Sequence, residues 1–353
     1  MLTKKRNLIS LILVMLLLLG CLIVPANVSA EEKKELKKIQ FSLDWTPNTN
    51  HTGLYVAVEK GYFEEEGIEV EIQEPSEDGA EVMVAAGHAQ LGVSFQDFTA
   101  AAWAKDEPMP FTAIAAIINH NTSGLVSLKE KGIESPGKLP GHNYASWEIP
   151  TELAIMKNIV EKDGGKWEDV EIIPQTVTDA VSALKTDVDS IWIYYAWDGI
   201  ALELAELETN YLDFAKLNPI FDYYSPIIIA NNDFLKEEPE LAKAFMRATQ
   251  KGYEFAMENP EEAAKILCEA VPELDEEMVL KSQEWLAEQY QADGFSWGLI
   301  EPERWNQFYA WLWEEELIEK EIPENFGFTN EYLDVDLDEF EKFLEEREEN
   351  EEK

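Results

Sequence analysis

The chain has 353 residues, with 71 Asp and Glu against 28 Lys and Arg, for a formal charge of −43. Apolar residues at 46% and aromatics at 11% mark a globular composition, since a disordered acidic chain is poor in both. With no basic stripe in view, that charge argues against nucleic acid and anionic lipid as partners. It reads as a solvated surface suited to salty or alkaline surroundings.

Lys4, Lys5 and Arg6 form a basic segment ahead of an apolar run over 8–24, and the small residues after Pro25 favour a signal peptide over a permanent helix. Val28-Ser29-Ala30 offers an ordinary cleavage site, giving a signal at 1–30. Leu18-Leu19-Gly20-Cys21 resembles a bacterial lipobox, which implies a signal at 1–20 and lipidation of Cys21. The expectation is an exported chain, held at the outer face of the cell membrane as a lipoprotein or else free outside the cytoplasm. The other cysteine, Cys268, then lacks an intramolecular disulfide partner and reads as a small buried hydrophobe.

Residues 31–38 form a charged spacer. From residue 39, short apolar runs alternate with amphipathic stretches. Strands are expected at 39–43, 68–73 and 91–94, with helices at 53–60, 80–86 and 98–105. A second set follows, with strands at 125–128, 143–145, 170–173 and 190–193 and helices at 151–161, 179–185 and 196–207. A last strand at 226–230 precedes a section that reads as almost wholly helical from Asp233, broken at Asn259-Pro260 and Val271-Pro272. Residues 334–353 hold 11 acids and three bases, yet Phe340, Phe343 and Leu344 keep helical spacing, as an amphipathic helix requires. The βαβ alternation implies an α/β fold of two lobes with a helical C-terminal section. Lobe 1 is placed at 39–120 plus 226–353 and lobe 2 at 121–225, with hinge crossings near 118–125 and 222–226. Ligands of open α/β sheets lie outside the carboxyl ends of strands, here Asp44-Trp45, Ser94-Phe95-Gln96 and Tyr194 to Asp198.

The stretch Asp44-Trp45-Thr46-Pro47-Asn48-Thr49-Asn50-His51-Thr52-Gly53 is unusual. With Gly61-Tyr62-Phe63, Ala145-Ser146-Trp147-Glu148-Ile149-Pro150 and Tyr194-Tyr195-Ala196-Trp197-Asp198-Gly199, it resembles the bacterial thiamine-pyrimidine-binding proteins. These are the solute-binding components of ABC importers for formylaminopyrimidine, a thiamine salvage precursor. The resemblance implies a type II periplasmic-binding-protein fold that closes by hinge motion on a pyrimidine, with ABC permease subunits as partners. In that family a pocket carboxylate sits in a Trp-Glu-Gly motif, and the matching residue here is Asp198, one methylene shorter.

A 4-aminopyrimidine presents flat faces and an N–H edge, so its site needs aromatic walls and a carboxylate. Trp45, Phe95, Trp147 and Tyr194 are candidate walls, while Trp197 fits a core position better. Asp44 and Asp198 are candidate acceptors. Ser146, Trp147 and Glu148 lie in a loop where free N–H groups can meet a polar ligand. His51 suits a helix-start role as well as a ligand contact, and with no His/Cys cluster neither a metal nor a cofactor is expected.

Eukaryotic pyrimidine synthases, which resemble this fold, use a Lys and a His four residues apart; the places they match hold Ser94 and Phe98. The cysteine-rich metal motif of those enzymes is missing as well. The reading is therefore a binder, monomeric, tied to the membrane through its lipid anchor only. Its ligand is expected to be formylaminopyrimidine or hydroxymethylpyrimidine, the alternatives being another flat heterocycle such as riboflavin or an alkanesulfonate. A pyrimidine synthase stands behind these.

Overall fold

The alternating runs resolve into two five-stranded sheets in a computed structural model that describes residues 36–351. The expected signal segment, Cys21 and most of the 31–38 spacer lie outside the described residues. The first sheet contains β1 (Lys37–Ser42), β2 (Ile68–Gln73), β3 (Leu91–Ser94), β4 (Phe111–Ala116) and β10 (Ile227–Asn231), in the order β2-β1-β3-β10-β4. β1 runs parallel to β2 and β3, and β10 runs antiparallel to β3 and β4. The second sheet repeats this plan with β5 (Ser123–Leu128), β6 (Asn143–Ser146), β7 (Glu171–Pro174), β8 (Ser190–Tyr194) and β9 (Thr209–Asp213), ordered β7-β6-β8-β5-β9. β6 is parallel to β7 and β8, and β5 is antiparallel to β8 and β9.

Two strands escaped the sequence pattern. β4 is Phe-Thr-Ala-Ile-Ala-Ala, buried at five of its six positions, so no polar face marks it. It lies at a sheet edge, but residues of the C-terminal section cover it through bridges from Ala113 to Phe328 and Ala116 to Gly298. All five residues of β9 are half-buried, which erases the alternation a strand usually shows. Two other expectations need correction. β1 starts at Lys37, so the spacer loses its last two residues to a strand whose Lys38 pairs with Glu69 at 3.4 Å. The C-terminal section is not helical throughout: helices Pro239–Glu258, Pro260–Ala270, Glu276–Ala287, Pro302–Glu314 and Leu337–Glu351 are separated by non-helical stretches at 288–301 and 315–336. These stretches supply the β4 cover.

The core of lobe 1 forms where the 239–258 helix lies against helix Thr52–Glu59 and the sheet. Phe245 stacks on Phe41 and Phe63 at 5.7 and 5.1 Å, and Tyr253 stacks on Trp297 at 4.3 Å. The helix crossing requires glycine on both sides. A Cβ on Gly53 would lie 2.4 Å from the Tyr253 ring, and one on Gly252 would lie 2.0 Å from the Gly53 carbonyl oxygen. The terminal helix Leu337–Glu351 docks as its spacing implied, with Phe340 buried and Phe343 5.5 Å from Phe295.

The chain crosses between the sheets at 117–122 and 222–226, and buried Arg304 holds both crossings. Its guanidinium donates to the Asn119 carbonyl at 2.8 Å and Asn119 Oδ1 at 3.0 Å on one crossing. On the other it donates to the Tyr224 hydroxyl at 2.6 Å and pairs with Asp222 at 3.2 Å. His120 adds a second link, 2.6 Å from Asp222 and 2.7 Å from Asp293.

Two variants test this account. Gly252→Ala should gain up to ~1 kcal/mol in helix propensity, yet the collision should cost about 1–3 kcal/mol. Urea unfolding should show a net loss; an unchanged midpoint would mean that the crossing spreads freely. Arg304→Met should cost roughly 3–5 kcal/mol, because Asp222 and two crossing segments lose their buried partner. A loss below about 1 kcal/mol would remove the residue from this role.

Candidate ligand-binding site

The carboxyl ends of β1, β3, β6 and β8 carry the expected residues, and those of β3 and β8 bring the two lobes into contact. Phe95, just after β3, stacks on Tyr194, the last residue of β8, with centroids 5.9 Å apart and planes at 27°. Phe98 meets Phe95 edge-on at 5.2 Å.

Asp44 lies two residues beyond β1, and the unusual stretch after it folds back to hold its carboxylate. The Asn48 N–H donates to His51 Nδ1 at 3.2 Å, so the ring proton sits on Nε2, from which it is donated to Asp44 at 2.7 Å. Asn48 Oδ1 accepts from the Asn50 N–H at 2.9 Å, and the hydroxyls of Tyr290 and Tyr253 donate to the carbonyls of Thr49 and Asn50. Fully buried His51 thus positions Asp44. Trp45, expected as a wall, is 59% exposed.

Asp198 sits in a π-helical turn, Tyr195–Gly199, that continues β8. A Cβ on Gly199 would lie 2.6 Å from the Tyr195 ring, which explains the glycine after Asp198. Burial raises the Asp198 carboxyl to about 6, and the bond donated by the Tyr194 N–H, at 3.4 Å, is too long to offset it. Tyr195 turns away to pack on Trp285 at 5.1 Å, while Trp197 packs with Tyr55, Leu267 and Val279 as core. Cys268 joins that cluster, unpaired.

The loop after β6 departs from expectation. Its N–H groups are not free: those of Trp147 and Ile149 donate to the buried Glu152 carboxylate at 3.1 and 3.3 Å, and that of Glu148 to Ser146 Oγ at 2.8 Å. Ser146 and Tyr144 hydroxyls complete the shell around Glu152 at 3.0 and 2.5 Å. Burial pushes Glu152 above the usual carboxylate range, and these donors pull it back. Glu148 is exposed, with a left-handed backbone at φ 59°. The Trp147 side chain leans on Trp192 at 6.0 Å.

A cavity of about 570 Å³ opens between helix Gln96–Trp103 of lobe 1 and the start of helix Pro150–Lys162 in lobe 2. Glu81, Asp97, Phe98, Ile149 and Thr151 are among its lining residues. Asp97 escaped the sequence reading, in which it falls just before the helix expected at 98–105; the helix in fact starts at Gln96. Its Oδ1 is buried without a hydrogen-bond partner, as are the hydroxyls of Tyr223 and Ser225 and the indole nitrogen of Trp192. Burial drives the Asp97 carboxyl up to about 7; backbone bonds at Asp97 and Phe98 and the nearby Tyr223 hydroxyl oppose that rise, and Glu81 adds to it. Asp97, Asp44 and Asp198 each lie close enough to raise the Tyr194 phenol electrostatically. Tyr223 and Ser225 lie in the second crossing, where sequence reading sees only a hinge. Among the described residues no group of His, Cys, Asp and Glu could hold a metal, and no helix is long and apolar enough to cross a membrane.

Two like-built sheets and two crossings with an acidic, aromatic cleft between them define a two-lobed fold of the type II periplasmic-binding-protein class. The chain belongs to the NMT1/THI5-like family, whose pattern it matches over residues 48–263. It is 30% identical to the formylaminopyrimidine-binding protein of Halalkalibacterium halodurans, across 93% of this chain and 99% of that one. It is also 31% identical to the 4-amino-5-hydroxymethyl-2-methylpyrimidine phosphate synthase of Legionella pneumophila, across 67% and 75%. Among solved structures it resembles the alkanesulfonate-binding protein SsuA of Xanthomonas axonopodis bound to MOPS, with a TM-score of 0.64 at 12% identity over 84% of this chain and 99% of that one. At that identity the likeness is one of fold.

The Asp97 carboxyl links folding to pH. The folded protein holds its proton to about pH 7, whereas the unfolded chain releases it near the ordinary carboxylate value, 3.8. The stabilising contribution is therefore complete below about pH 4 and declines as pH rises toward 7. The stability of the wild type minus that of Asp97→Asn, followed by urea unfolding, should fall across that window; a flat difference would refute it.

Proposed function

We propose that this protein is the extracytoplasmic solute-binding component of an ABC importer and captures a thiamine-precursor pyrimidine, formylaminopyrimidine or hydroxymethylpyrimidine. The observation that carries the reading is the meeting of Phe95 and Tyr194 across the cleft beside Asp44 and Asp198. Aromatic faces suit a flat ring, and carboxyl groups suit its amine. The printed name of the Halalkalibacterium relative supports the same class across nearly the whole chain.

In this reading lobe 1 comprises 39–120 with 226–353, and lobe 2 comprises 121–225. They rotate about the two crossings, and ligand shifts the open–closed balance toward a form that a permease recognises. The contacts belong to Asp44, Phe95, Tyr194 and Asp198, with Trp147 at the rim beside Ser146 and Glu148, and Trp45 as an exposed arm near the mouth. The protein acts as a monomer and is no enzyme: Ser94, where a synthase has its lysine, donates its hydroxyl to Glu81. Export with lipidation at Cys21 places it at the outer face of the cell membrane. Sulfonates fit poorly, because three acids, Asp44, Asp97 and Asp198, act electrostatically on Tyr194 and would repel an anion beside it.

Tryptophan emission tests the ligand class. Trp147 lies two residues before Ile149, which lines the cavity, and leans on Trp192, so hydroxymethylpyrimidine should quench or shift emission saturably, while an alkanesulfonate should not. A response to the sulfonate alone would reverse the reading. Asp198→Asn should weaken binding roughly tenfold, the scale of one hydrogen bond to a charged group, with unfolding unchanged.

A further inference from the structure

The residues assigned to the ligand above leave the most unusual polar group of the cleft unused. Asp97 is the second residue of helix Gln96–Trp103, lines the cavity between the lobes, and keeps Oδ1 buried without a partner. Buried polar atoms are almost always satisfied, so one left without a partner on a residue that lines a cavity raises the question of what donor meets it there. It is not isolated. The hydroxyls of Tyr223 and Ser225 are also buried and unpartnered, and both come from the hinge crossing. Tyr223 and Tyr194 each feel the charge of Asp97, and Ser225 acts on the Tyr194 hydroxyl, so these groups are neighbours behind the cavity wall that Asp97 helps to form.

Other carboxyls nearby have their partners. Asp44 accepts from His51, Glu152 is enclosed by four residues, and Glu81 accepts from Ser94. Of these acids, Asp97 is the one that keeps a carboxyl oxygen buried without a hydrogen-bond partner.

Building on the pyrimidine reading, we infer that Asp97 is the carboxyl that pairs with the ligand, and that it selects an unphosphorylated heterocycle carrying an amino group next to a ring nitrogen. A carboxyl group matches that edge at two points: its carbonyl oxygen accepts from the amino N–H, and its O–H donates to the ring nitrogen. One proton is shared between carboxyl and ring, and no bond is made or broken. The hydroxyls of Tyr223 and Ser225 can serve a second polar substituent. A phosphate ester would bring dianionic charge beside Glu81 and Asp97, so the free alcohol is the accepted form. The proton demand of Asp97 fits this pairing, since its burial keeps the acid form up to neutral pH.

The test is calorimetric titration of the full chain with 4-amino-5-hydroxymethyl-2-methylpyrimidine and with its phosphate ester, from pH 5 to 9. Wild type should bind the alcohol, bind the phosphate at least tenfold more weakly, and lose affinity above pH 7. Asp97→Leu should lose about tenfold to a hundredfold in affinity for the alcohol at pH 6. Asp97→Asn, whose amide also offers one donor and one acceptor, should retain binding at pH 6 and lose the decline above pH 7. The melting temperatures of both variants, read beforehand, exclude a folding defect. Asp97→Leu binding like wild type, equal affinity for alcohol and phosphate, or an Asp97→Asn profile that declines like wild type would each overturn the assignment while leaving the ligand class standing. Failure of wild type to bind the alcohol and formylaminopyrimidine alike would remove the ligand class, and the Asp97 assignment with it.

Discussion

The geometry of this protein depends on one buried cation. Arg304, at the start of helix Pro302–Glu314, is set against both crossings between the lobes, with its guanidinium 4.2 Å from the Tyr224 ring centre. Burying a charge this deeply costs several kcal/mol unless every N–H finds a partner, and replacing a whole buried pair, both partners together, by apolar side chains is often neutral for stability. What it contributes is registry: no apolar residue could fix Asn119, Asp222 and Tyr224 relative to one another at hydrogen-bond precision. Because those residues lie on the crossings, the same contact fixes how the two crossings sit against each other. The C-terminal section reaches the hinge by this route. Arg347 on the terminal helix pairs with Glu301 at 2.5 and 2.9 Å, and Glu301 in turn lies 3.6 Å from Arg304. The acid-rich end of the chain is therefore partly a brace.

Carboxyl groups show how environment divides one chemistry into separate tasks. Glu152 is buried and satisfied, and it serves to shape the loop from Ser146 to Ile149. Asp44 is held by a histidine whose tautomer is fixed from behind by a backbone N–H, which orients one oxygen. Asp222 and Asp293 sit on opposite nitrogens of His120, and hydrogen bonding with Asp222 raises that histidine above its usual value while its partners fall below theirs. Asp97 and Asp198 lack such support, and burial raises both. Acids with too few donors gather where a ligand can supply them; acids with enough donors hold the frame. The net charge of −43 says nothing about this partition.

How much of this could be read from the sequence follows the same physics. β2 and β3 were legible to the residue, because short β-branched or apolar runs between turn residues have one reading. β4 and β9 were not, one buried on both faces and the other on neither. The stretch from Asp44 to Gly53 stood out by composition, and its inner residues turn out to build the Asp44 mount and the helix crossing. Trp45 shows the limit of that inference, since an aromatic inside a distinctive motif need not face inward. The Ser146 loop failed for a related reason: Glu152, one turn into the next helix, captures the N–H groups that a sequence leaves open. Tyr223 and Ser225 could not be found, because only the fold brings a hinge segment beside a helix start more than 120 residues away in the chain.

The ring pair that joins the lobes also limits where a ligand can lie. A flat ring inserted between two aromatic faces needs about 3.5 Å on each side, so its walls must stand ~7 Å apart. Phe95 and Tyr194 are 5.9 Å apart at their centroids, which leaves no room between them in this arrangement of the lobes. The two rings are then a wall and a latch rather than a clamp. In the proposed hinge motion they meet as the lobes close, with the cavity lined by Asp97 and Phe98 beside them. That motion would separate Phe95 from Tyr194 on opening and restore the stack on closing. Hinge and candidate site are linked in the static arrangement as well, because the second crossing carries both the partners of Arg304 and the buried hydroxyls of Tyr223 and Ser225.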